Sequence, residues 1–387
     1  MCTFAVPTST LMPLRFLPLL IALALAACQS DTVQPGPAAS GSVADTSASP
    51  LEGRAQLIPL VGPLTSPYAE ISGLAWHGDR LILLPQYPGR FAVGADTVDM
   101  AGALKDEGAV FAIAEADLLA FLDGTRAEAL RPEMVRFAAP GLATAVPGFE
   151  GFEAVVFQGD GVSVLIESAG AGATHGFLAT GRVEADGGIR LDAGSVEPLP
   201  PQARLDNLSY ETLIAAPDGV IALQEANGAV VNPTPEAFHY SAGSALRDSL
   251  RVPTLEYRIT DATELDAAGR FWVMNYFYPG DHALLRPGPD AIAARFGRGP
   301  THRQRTTVER LVELRLDGRQ IVRTERAPIQ LELLDGAVSR NWEGLARLGT
   351  RGFIAATDTY PETMLAFIAV PPEPPPASPA TPTDETP

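Results

Sequence analysis

The stretch Glu343-Gly-Leu-Ala-Arg-Leu-Gly-Thr-Arg-Gly-Phe-Ile-Ala-Ala-Thr-Asp358 decides the fold. It begins with an acidic residue and a short apolar strand, turns at Leu348-Gly-Thr350, and continues as a second apolar strand that ends at Asp358. Two short apolar runs separated by a glycine-bearing turn are the sequence signature of a β-hairpin. The stretch therefore predicts a hairpin with an acidic residue at each open end.

Four earlier segments repeat this pattern. They open at Glu70, Glu150, Glu211 and Asp261, and their second strands end at Gln86, Glu167, Glu225 and Asn275. Further strands are predicted at 110–113, 176–180 and 311–316, with a helical insert near 115–121. The five opening residues are spaced by 80, 61, 50 and 82 residues, whereas propeller repeats span about 40 to 50. The long gaps therefore hold inserts or a degenerate extra blade.

The repeats predict an all-β fold, a single β-propeller of five or six blades, with six preferred. Segment 55–61 precedes the first unit, and as a strand it could complete the last blade and close the ring without a bare edge. A pair of β-sandwiches is the alternative architecture. A sandwich would not need an acidic residue at the start of every hairpin, so the propeller is favoured.

The N-terminal region predicts an exported lipoprotein. Residues 16–27 form an uncharged apolar run of twelve, which is shorter than the ~20 residues that span a bilayer as a helix. The run follows Arg15 and ends in Leu25-Ala-Ala-Cys28, which resembles the lipobox of bacterial lipoprotein signals. We therefore expect residues 1–27 to be a signal peptide, starting at Met1 or Met12. Cys28 is expected to be acylated, palmitate included, and to anchor the protein to membrane lipid.

Two flexible segments are predicted to flank the folded domain. Residues 28–52 are rich in Ser, Ala, Pro and Gly and have the composition of a disordered tether. Residues 371–387 contain eight prolines in seventeen positions and are predicted to be a disordered tail. The propeller domain is thus expected at 53–370. Because Gln29 and Ser30 follow the cysteine, the outer membrane of the cell envelope is preferred to the inner membrane.

The charge balance limits the partners of the domain. The chain has 46 acidic against 28 basic residues and a formal net charge of −18, so nucleic acid is excluded as a partner and cations are attracted. The sequence contains no Gly-x-Ser-x-Gly elbow, phosphate-binding loop, His-Glu-x-x-His helix or cysteine pair. These absences disfavour a standard serine hydrolase and a zinc enzyme. No organic cofactor is predicted.

The recurring units resemble those of one known family. The Glu-Gly-Leu-Ala motif at 343 and the Glu-Ile-Ser-Gly-Leu motif at 70 are similar to the phytase-like propeller family, which is also described as having esterase-like activity of phytase. The resemblance covers most of 65–368, and the first, second and fifth units match best. It implies a ring of blades and a metal-linked phosphoesterase or esterase activity. No catalytic set of the family maps onto this chain residue by residue.

Equivalent positions in a propeller lie at the same radius and height, so the repeated acidic residues should converge on the central channel. The candidate metal ligands are Glu70, Glu150, Glu167, Glu211, Glu225, Asn275, Glu343 and Asp358, with Glu264 as the glutamate of the fourth unit. A ring of oxygen atoms suits Ca²⁺, which takes six to eight oxygen ligands. The alternative is that each carboxylate accepts backbone N–H groups of a neighbouring blade and staples the ring.

Catalytic and substrate-binding roles are predicted from local context. His175 lies in the loop after Glu167 and is the candidate general base, with Glu150 as a second catalytic residue. Arg298, Arg303 and Arg305 form a basic stretch suited to phosphate, and Tyr278 belongs to an aromatic segment that could line the channel mouth; the full set of substrate-binding candidates is Arg298, Arg303, Arg305 and Tyr278. The alternative for the arginines is a solvated surface loop.

Three functions follow from these features. The first is a divalent-cation-dependent hydrolase of phosphoesters or esters at the cell envelope. The second is a non-catalytic binding or scaffold propeller with a protein partner. The third is a sugar-lactone hydrolase of another propeller group. The sequence leaves open whether the protein is an enzyme, because function lies in the site rather than in the fold.

Overall fold

The computed structural model describes residues 51–170, 173–336 and 338–371. The predictions for the signal peptide, Cys28, the tether up to residue 50 and the tail from residue 372 lie outside these residues. Among the described residues, no helix is both long enough and apolar enough to cross a membrane.

Most of the described chain is arranged as five consecutive β units after two short strands. The first strands are β1 (Glu52–Gly53) and β2 (Ala55–Ile58). The first unit contains β3 (Ile71–His77), β4 (Arg80–Pro85), β5 (Glu107–Ala114), α1 (Glu115–Leu122) and β6 (Glu133–Ala138). The second contains α2 (Leu142–Ala145), β7 (Phe149–Gln158), β8 (Gly161–Gly170), β9 (Ala173–Val183) and β10 (Ile189–Pro198).

The remaining three units follow the same order of hairpin and outer strands. The third contains β11 (Tyr210–Ala216), β12 (Gly219–Gln224), β13 (Glu236–Ser241) and β14 (Leu246–Arg251). The fourth contains β15 (Arg258–Ala262), β16 (Arg270–Phe277), α3 (His282–Leu285), α4 (Ala291–Phe296), β17 (Val308–Asp317), β18 (Gln320–Arg323) and β19 (Ile329–Leu331). The fifth contains β20 (Trp342–Leu348), β21 (Gly352–Thr357) and β22 (Leu365–Ala369).

The local predictions from the sequence are confirmed in four units, whereas the fourth unit starts at Arg258 and so places Asp261 near the end of its first strand. All five hairpins form as antiparallel pairs, β3–β4, β7–β8, β11–β12, β15–β16 and β20–β21. The predicted third strands are β5, β9 and β17, and the predicted helical insert is α1. These features depend on apolar runs and turns within about twenty residues, which is why the sequence reveals them.

The sheets connect at their outer edges, and a strand that precedes the first unit joins the last sheet. Strands β6 and β10 pair in parallel, so the first two units form one eight-stranded sheet. Strands β14 and β18 likewise join the third and fourth units. Strand β2 pairs antiparallel with β22, with Ile58 opposite Leu365, and thereby becomes the outer strand of the last sheet. The predicted pairing of the segment before the first unit with the last unit is therefore confirmed.

The inner strands β3, β7, β11, β15 and β20 contact one another in cyclic order, and β20 contacts β3. An apolar cluster fills each space between consecutive sheets. Representative pairs are Ile82 with Val164, Leu165 with Phe238, Ile221 with Phe271, Met274 with Phe353, and Leu74 with Ile354. The fold is thus all-β and propeller-like. The six blades preferred from the sequence are not confirmed.

Small residues let neighbouring inner strands approach closely. A Cβ atom at Gly344 would lie 2.6 Å from Cγ of Leu74, and one at Gly73 would lie 3.2 Å from Cα of Ala154. Both distances are tight for non-bonded carbon atoms, which are normally about 3.5 to 4.0 Å apart. The glycines of the repeated motif therefore serve close packing between units.

The acidic residues of the fourth unit staple neighbouring inner strands. Oδ2 of Asp261 accepts a hydrogen bond from the backbone N–H of Leu345 at 2.7 Å. Glu264 follows β15 at the opposite end from Arg258 and accepts hydrogen bonds from backbone groups of Arg347 and Trp76. Asp261 and Glu264 thus follow the stapling alternative, and neither lines the cavity described below.

We expect Ile58→Ala in β2 to lower the free energy of unfolding by about 2–5 kcal/mol, the usual cost of truncating a buried isoleucine. Ile58 is 2% exposed and packs in the cluster between the last and first units. The matched control is Leu57→Ala on the same strand, since Leu57 is 53% exposed and should change stability little. Denaturant unfolding measures both. Equal effects of the two variants would contradict the role of β2 in the core.

Candidate functional site

A β-bulge recurs at the same place in all five inner strands. The register with the second strand shifts between Ile71 and Gly73, Phe152 and Ala154, Tyr210 and Thr212, Ile259 and Asp261, and Trp342 and Gly344. The residues skipped by the ladder are Ser72, Glu153, Glu211, Thr260 and Glu343. Bulges re-aim side chains out of the regular alternation. Three of the five units therefore present a glutamate at this level.

The second strands supply a neighbouring level of polar residues. Opposite the residue before each bulge stand Pro85, Ile166, Gln224, Asn275 and Thr357. The next residues along the chain are Gln86, Glu167, Glu225, Tyr276 and Asp358. Because these five positions are equivalent in register, the second, third and fifth units each bring a second carboxyl group to the same end of the inner strands.

A cavity of about 470 Å³ opens at this end, and we call it the acidic cavity. Its lining residues are Gln86, Glu153, Glu167, Asn207, Glu211, Arg258, Tyr276, Tyr278, Asp281, Ser339, Asn341, Glu343, Asp358 and Tyr360. Six of these carry carboxyl groups and one carries a guanidinium group. A buried polar site with one sign of charge in excess is the usual setting for ligand binding or acid–base chemistry.

The one lining cation already has acidic partners. Nη1 of Arg258 lies 2.9 Å from Oε1 of Glu225, and Nε of Arg258 lies 3.0 Å from Oδ2 of Asp281. The other five lining carboxyl groups, those of Glu153, Glu167, Glu211, Glu343 and Asp358, form no ion pair with any described residue. Side-chain amides donate hydrogen bonds to two of them. Nε2 of Gln86 donates to Oε1 of Glu153 at 3.1 Å, and Nδ2 of Asn341 donates to Oε1 of Glu343 at 2.5 Å.

Glu211 and Glu225 are neighbouring buried carboxyl groups, and burial together with the charge of Glu225 raises the pKa of Glu211. Glu225 is fully buried, whereas Glu211 lines the cavity and is 8% exposed. Two carboxylates buried side by side repel each other, which favours protonation of one of them. Because Arg258 forms its ion pair with Glu225, the protonated form is favoured at Glu211.

Burial raises the pKa of the carboxyl groups throughout the cavity. It raises the pKa of Glu153 to about 7 and that of Glu167 to about 9, with neighbouring carboxylates adding to the effect. Burial followed by the repulsion of other carboxylates lifts the pKa of Glu211 and Glu343 well above the ordinary range. Burial also raises the pKa of Glu225, against the opposing attraction of Arg258. Without a cation, much of this cavity is protonated at neutral pH.

Several buried oxygens have no hydrogen-bond partner among the described residues. They are Oε1 of Glu167, Oε2 of Glu211, and both carboxyl oxygens of Glu225, of which Oε1 faces Arg258 in the ion pair. Within the same part of the chain, no group of three His, Cys, Asp or Glu side chains is already arranged to hold a metal ion. The carboxyl oxygens of the cavity are the kind of ligand that Ca²⁺ takes, but they are not arranged around one point.

The structure brings together four of the eight predicted ligands. Glu167, Glu211, Glu343 and Asp358 line the acidic cavity, and Glu225 lies directly behind Glu211. Glu70 stands beside the cavity in an ion pair with Arg90. Glu150 does not line it, although its charge helps to raise the pKa of Glu153 and Glu167.

Two predicted site residues lie elsewhere. Asn275 is fully buried, donates to the carbonyl oxygen of Arg258 at 2.9 Å and accepts from Nε of Arg310 at 2.8 Å. Its neighbour Tyr276 takes the cavity position, because the register places the side chain one residue later. His175 is exposed on β9, the third strand of its unit, and does not line the cavity. The prediction that it acts as a general base beside the cavity carboxyl groups is therefore not supported by its position.

The three predicted arginines line a second cavity of about 620 Å³, which we call the arginine cavity. Arg298, Arg303 and Arg305 contribute to its wall together with Tyr278, which also lines the acidic cavity. The two cavities are therefore neighbours.

From the sequence, neither Glu153 nor Arg258 is predicted, and Tyr276 and Asp281 are included only as members of the aromatic segment 275–282 expected at the channel mouth. A usable signal was present for Glu153, because the cavity glutamates of three units each follow an aromatic residue, in Phe152-Glu153, Tyr210-Glu211 and Trp342-Glu343. Arg258 carries no such signal, since its role comes from contacts with Glu225 and Asp281 in other parts of the chain.

No protein-family model matches the chain, and no curated protein matches its sequence. Solved structures similar to it include a thermostable family-43 glycoside hydrolase, at 10% identity and a TM-score of 0.43 over 81% of this chain and 91% of that one. The family-43 endo-arabinanase of Bacillus licheniformis has 10% identity and a TM-score of 0.41, over 79% and 94%. The family-32 beta-fructofuranosidase of Bombyx mori has 10% identity and a TM-score of 0.42, over 82% and 62%.

These likenesses are too low to assign an activity. None of the three structures named is a phytase, so the phytase-like resemblance stays a prediction from the sequence. The chemistry of the site rests on the chain's own geometry.

The raised pKa values predict that the metal-free protein loses stability as the pH rises from about 5 to about 9. In this window the folded protein holds protons on Glu153 and Glu167 that the unfolded chain, with ordinary glutamate pKa values of 4.5, has released. Thermal melts across this range in a chelator should show a falling Tm. The isosteric Glu167→Gln should flatten the fall, and exposed Glu128→Gln should leave it unchanged. A Tm that rises across the window would contradict this charge state.

Proposed function

We propose that the five units close into a five-bladed propeller whose acidic cavity binds a divalent cation, with Ca²⁺ as the preferred ion. The cyclic contacts of the inner strands and the pairing of β2 with β22 support the closed ring. The observation that carries the cation proposal is the set of five lining carboxyl groups without an ion-pair partner among the described residues. A divalent ion would offset this charge, which otherwise has to be neutralised by protonation.

The proposed ligands come from the second, third and fifth units. Glu167 and Glu211 offer buried oxygens without partners, and Glu343 and Asp358 stand on neighbouring strands of the fifth unit. The absence of three preassembled ligands in the described residues means that side chains have to rotate when the ion enters. Ca²⁺ tolerates irregular oxygen geometry better than Mg²⁺, which favours it as the occupant.

We propose that the loaded cavity is a hydrolase site for ester or phosphoester bonds. A bound cation polarises such a bond and lowers the pKa of bound water. The residues of the chain contribute the proton transfers. Glu153, whose pKa lies near 7 and which is not among the proposed ligands, is the proposed acceptor of the proton from water. It would then pass this proton to the leaving group, because Glu211 is needed in its charged form as a ligand.

Arg258 has a supporting role in this proposal. Its contact with Glu225 at 2.9 Å favours the charged form of Glu225, and its contact with Asp281 at 3.0 Å holds the guanidinium group in the cavity wall. Tyr276 and Tyr278 line the same cavity.

A binding protein is the second candidate function, and the lack of a preassembled ligand set in the described residues favours it. In this case the cavity takes a small cationic or polyhydroxyl ligand, and its carboxyl groups act as hydrogen-bond acceptors. Cation titration separates the two functions, because only the hydrolase requires a metal.

The anchoring of the protein also remains a proposal. We propose that Cys28 carries lipid, that residues 28–52 tether the domain, and that the protein stays at the envelope, on the outer membrane if one is present. The sequence motif Leu25-Ala-Ala-Cys28 supports this assignment.

Titration of Ca²⁺ into the metal-stripped protein should give a Kd below about 0.1 mM and a raised Tm. Glu211→Gln and Glu343→Gln should each weaken binding at least about tenfold, because each removes a charged ligand oxygen from a buried site. Glu128→Gln, an exposed carboxylate outside the cavity, is the matched control. Ester and phosphoester screens follow with the same variants.

An absence of heat and of any Tm shift with Ca²⁺, Mg²⁺, Mn²⁺ and Zn²⁺ would remove the metal-hydrolase proposal and leave the binding protein. Binding that Glu211→Gln and Glu343→Gln do not alter would place the ion outside the acidic cavity.

Cys28→Ser should abolish acylation and release the protein from the membrane fraction. The thiol is the group that accepts the lipid, and a serine hydroxyl does not replace it. Mass spectrometry of the mature N-terminus together with cell fractionation measures both effects. A wild-type protein whose N-terminus lies elsewhere, or whose Cys28 is unmodified, would contradict the anchor.

A further inference from the structure

The arginine cavity is opposite in charge to its neighbour. Its described lining includes three guanidinium groups, of Arg298, Arg303 and Arg305, and no carboxyl group. The rest of the wall offers the hydroxyl groups of Thr306 and Thr307 and the amide of Gln304. In a chain with a net charge of −18 this is a local reversal of sign. A cavity whose charged groups are all guanidinium groups is suited to an anion.

The arginines are partly held in place by the loop itself. Nη1 of Arg303 donates to the carbonyl oxygen of Arg298 at 2.9 Å. Arg305 is more enclosed, with 22% of its side chain exposed, and its Nη2 lies 3.4 Å from the fully exposed carboxylate of Asp335. Nη1 of Arg305 is buried and has no hydrogen-bond partner among the described residues. A buried guanidinium donor without an acceptor is costly, and an oxyanion in the cavity would satisfy it.

The two cavities meet at Tyr278. The aromatic ring of Tyr278 lies against Gly280, where an added Cβ atom would fall 2.3 Å from the ring. Tyr278 lines the acidic cavity together with carboxyl groups that include Asp281, and it lines the arginine cavity together with Arg298, Arg303 and Arg305. A ligand that passes Tyr278 therefore meets positive charge at one end and negative charge at the other.

We propose that the arginine cavity is an oxyanion subsite that works without a metal, and that the ligand of the protein carries a phosphate or a comparable oxyanion at the end that stays outside the acidic cavity. The remainder of the ligand, polyhydroxyl or cationic, enters the acidic cavity beside Tyr278. This proposal deepens the proposed function by naming the class of ligand. The oxyanion subsite itself does not depend on the cation, since its donors belong to the protein.

The test is titration of inorganic phosphate, sulfate and acetate into the full chain after removal of divalent ions. Phosphate should bind saturably with a Kd on the order of 1 mM, sulfate similarly, and acetate at least about tenfold more weakly, because a monocarboxylate engages fewer donors. Added NaCl should weaken the binding.

Arg305→Gln and Arg298→Gln should each weaken phosphate binding at least about fivefold, since each removes one guanidinium group from the cavity wall. Arg298 is exposed, so its variant tests the proposal even where Arg305→Gln unfolds the protein. Arg319→Gln is the matched control, because Arg319 is 72% exposed and pairs with Asp248 outside both cavities. Unchanged affinity in both cavity variants, or equal binding of acetate, would overturn the oxyanion subsite.

The phosphate titration and the Ca²⁺ titration test the two proposals independently. Glu211→Gln should leave phosphate binding intact, and Arg298→Gln should leave Ca²⁺ binding intact. A protein that binds phosphate but not Ca²⁺ would therefore contradict the hydrolase proposal and support the oxyanion subsite. A protein that binds Ca²⁺ but not phosphate would contradict the oxyanion subsite and leave the hydrolase proposal standing.

Discussion

The repeated bulge in the inner strands is the constraint on which the site depends. Each inner strand packs apolar side chains against the units on both of its faces. The side chains that alternate between the two faces are therefore all needed for packing. A polar side chain leaves this alternation where the ladder skips a residue. The bulge that recurs at the same place in each inner strand therefore supplies much of the cavity lining, and three of these positions carry glutamate, at 153, 211 and 343. A second bulge in β7 skips Glu150, which does not line the cavity. Side chains that follow the second strands complete the same level.

This arrangement concentrates carboxyl groups that no described cation balances, except where Arg258 holds Glu225 and Asp281. Burial and mutual repulsion favour the protonated form of the remaining groups. The empty cavity therefore favours its protonated form, and the proposed divalent cation would be a second way to offset the same charge. The five apolar clusters between neighbouring units contribute the stability that offsets the unfavourable burial of these carboxyl groups.

The sequence predicts more of the fold than of the residues that line the site. Hairpins, third strands and the pairing of the N-terminal strand follow from local apolar runs and turns, and all of them are present. The cavity residues depend on register, and a shift of one residue changes the face of a side chain. The sequence predicts Asn275 where Tyr276 stands, because the two positions differ by one residue in register. It favours Glu150 over Glu153, and since bulges of β7 skip both residues, the apolar pattern does not separate them. Asp261 and Glu264 share the acidic character of the repeat, yet they staple backbone groups of other units. Arg258 owes its role wholly to tertiary contacts.

The opposite charges of the two cavities argue that they act on one ligand. Arginines placed within the acidic cavity would pair with its carboxyl groups, as Arg258 does, and neither group would remain available to a ligand. Arg305 and Glu211 instead line different cavities that share Tyr278. Such a division of charge would give little to a purely apolar or a uniformly charged molecule. It would favour a molecule that is anionic at one end and not at the other, and it would orient that molecule before any chemistry begins.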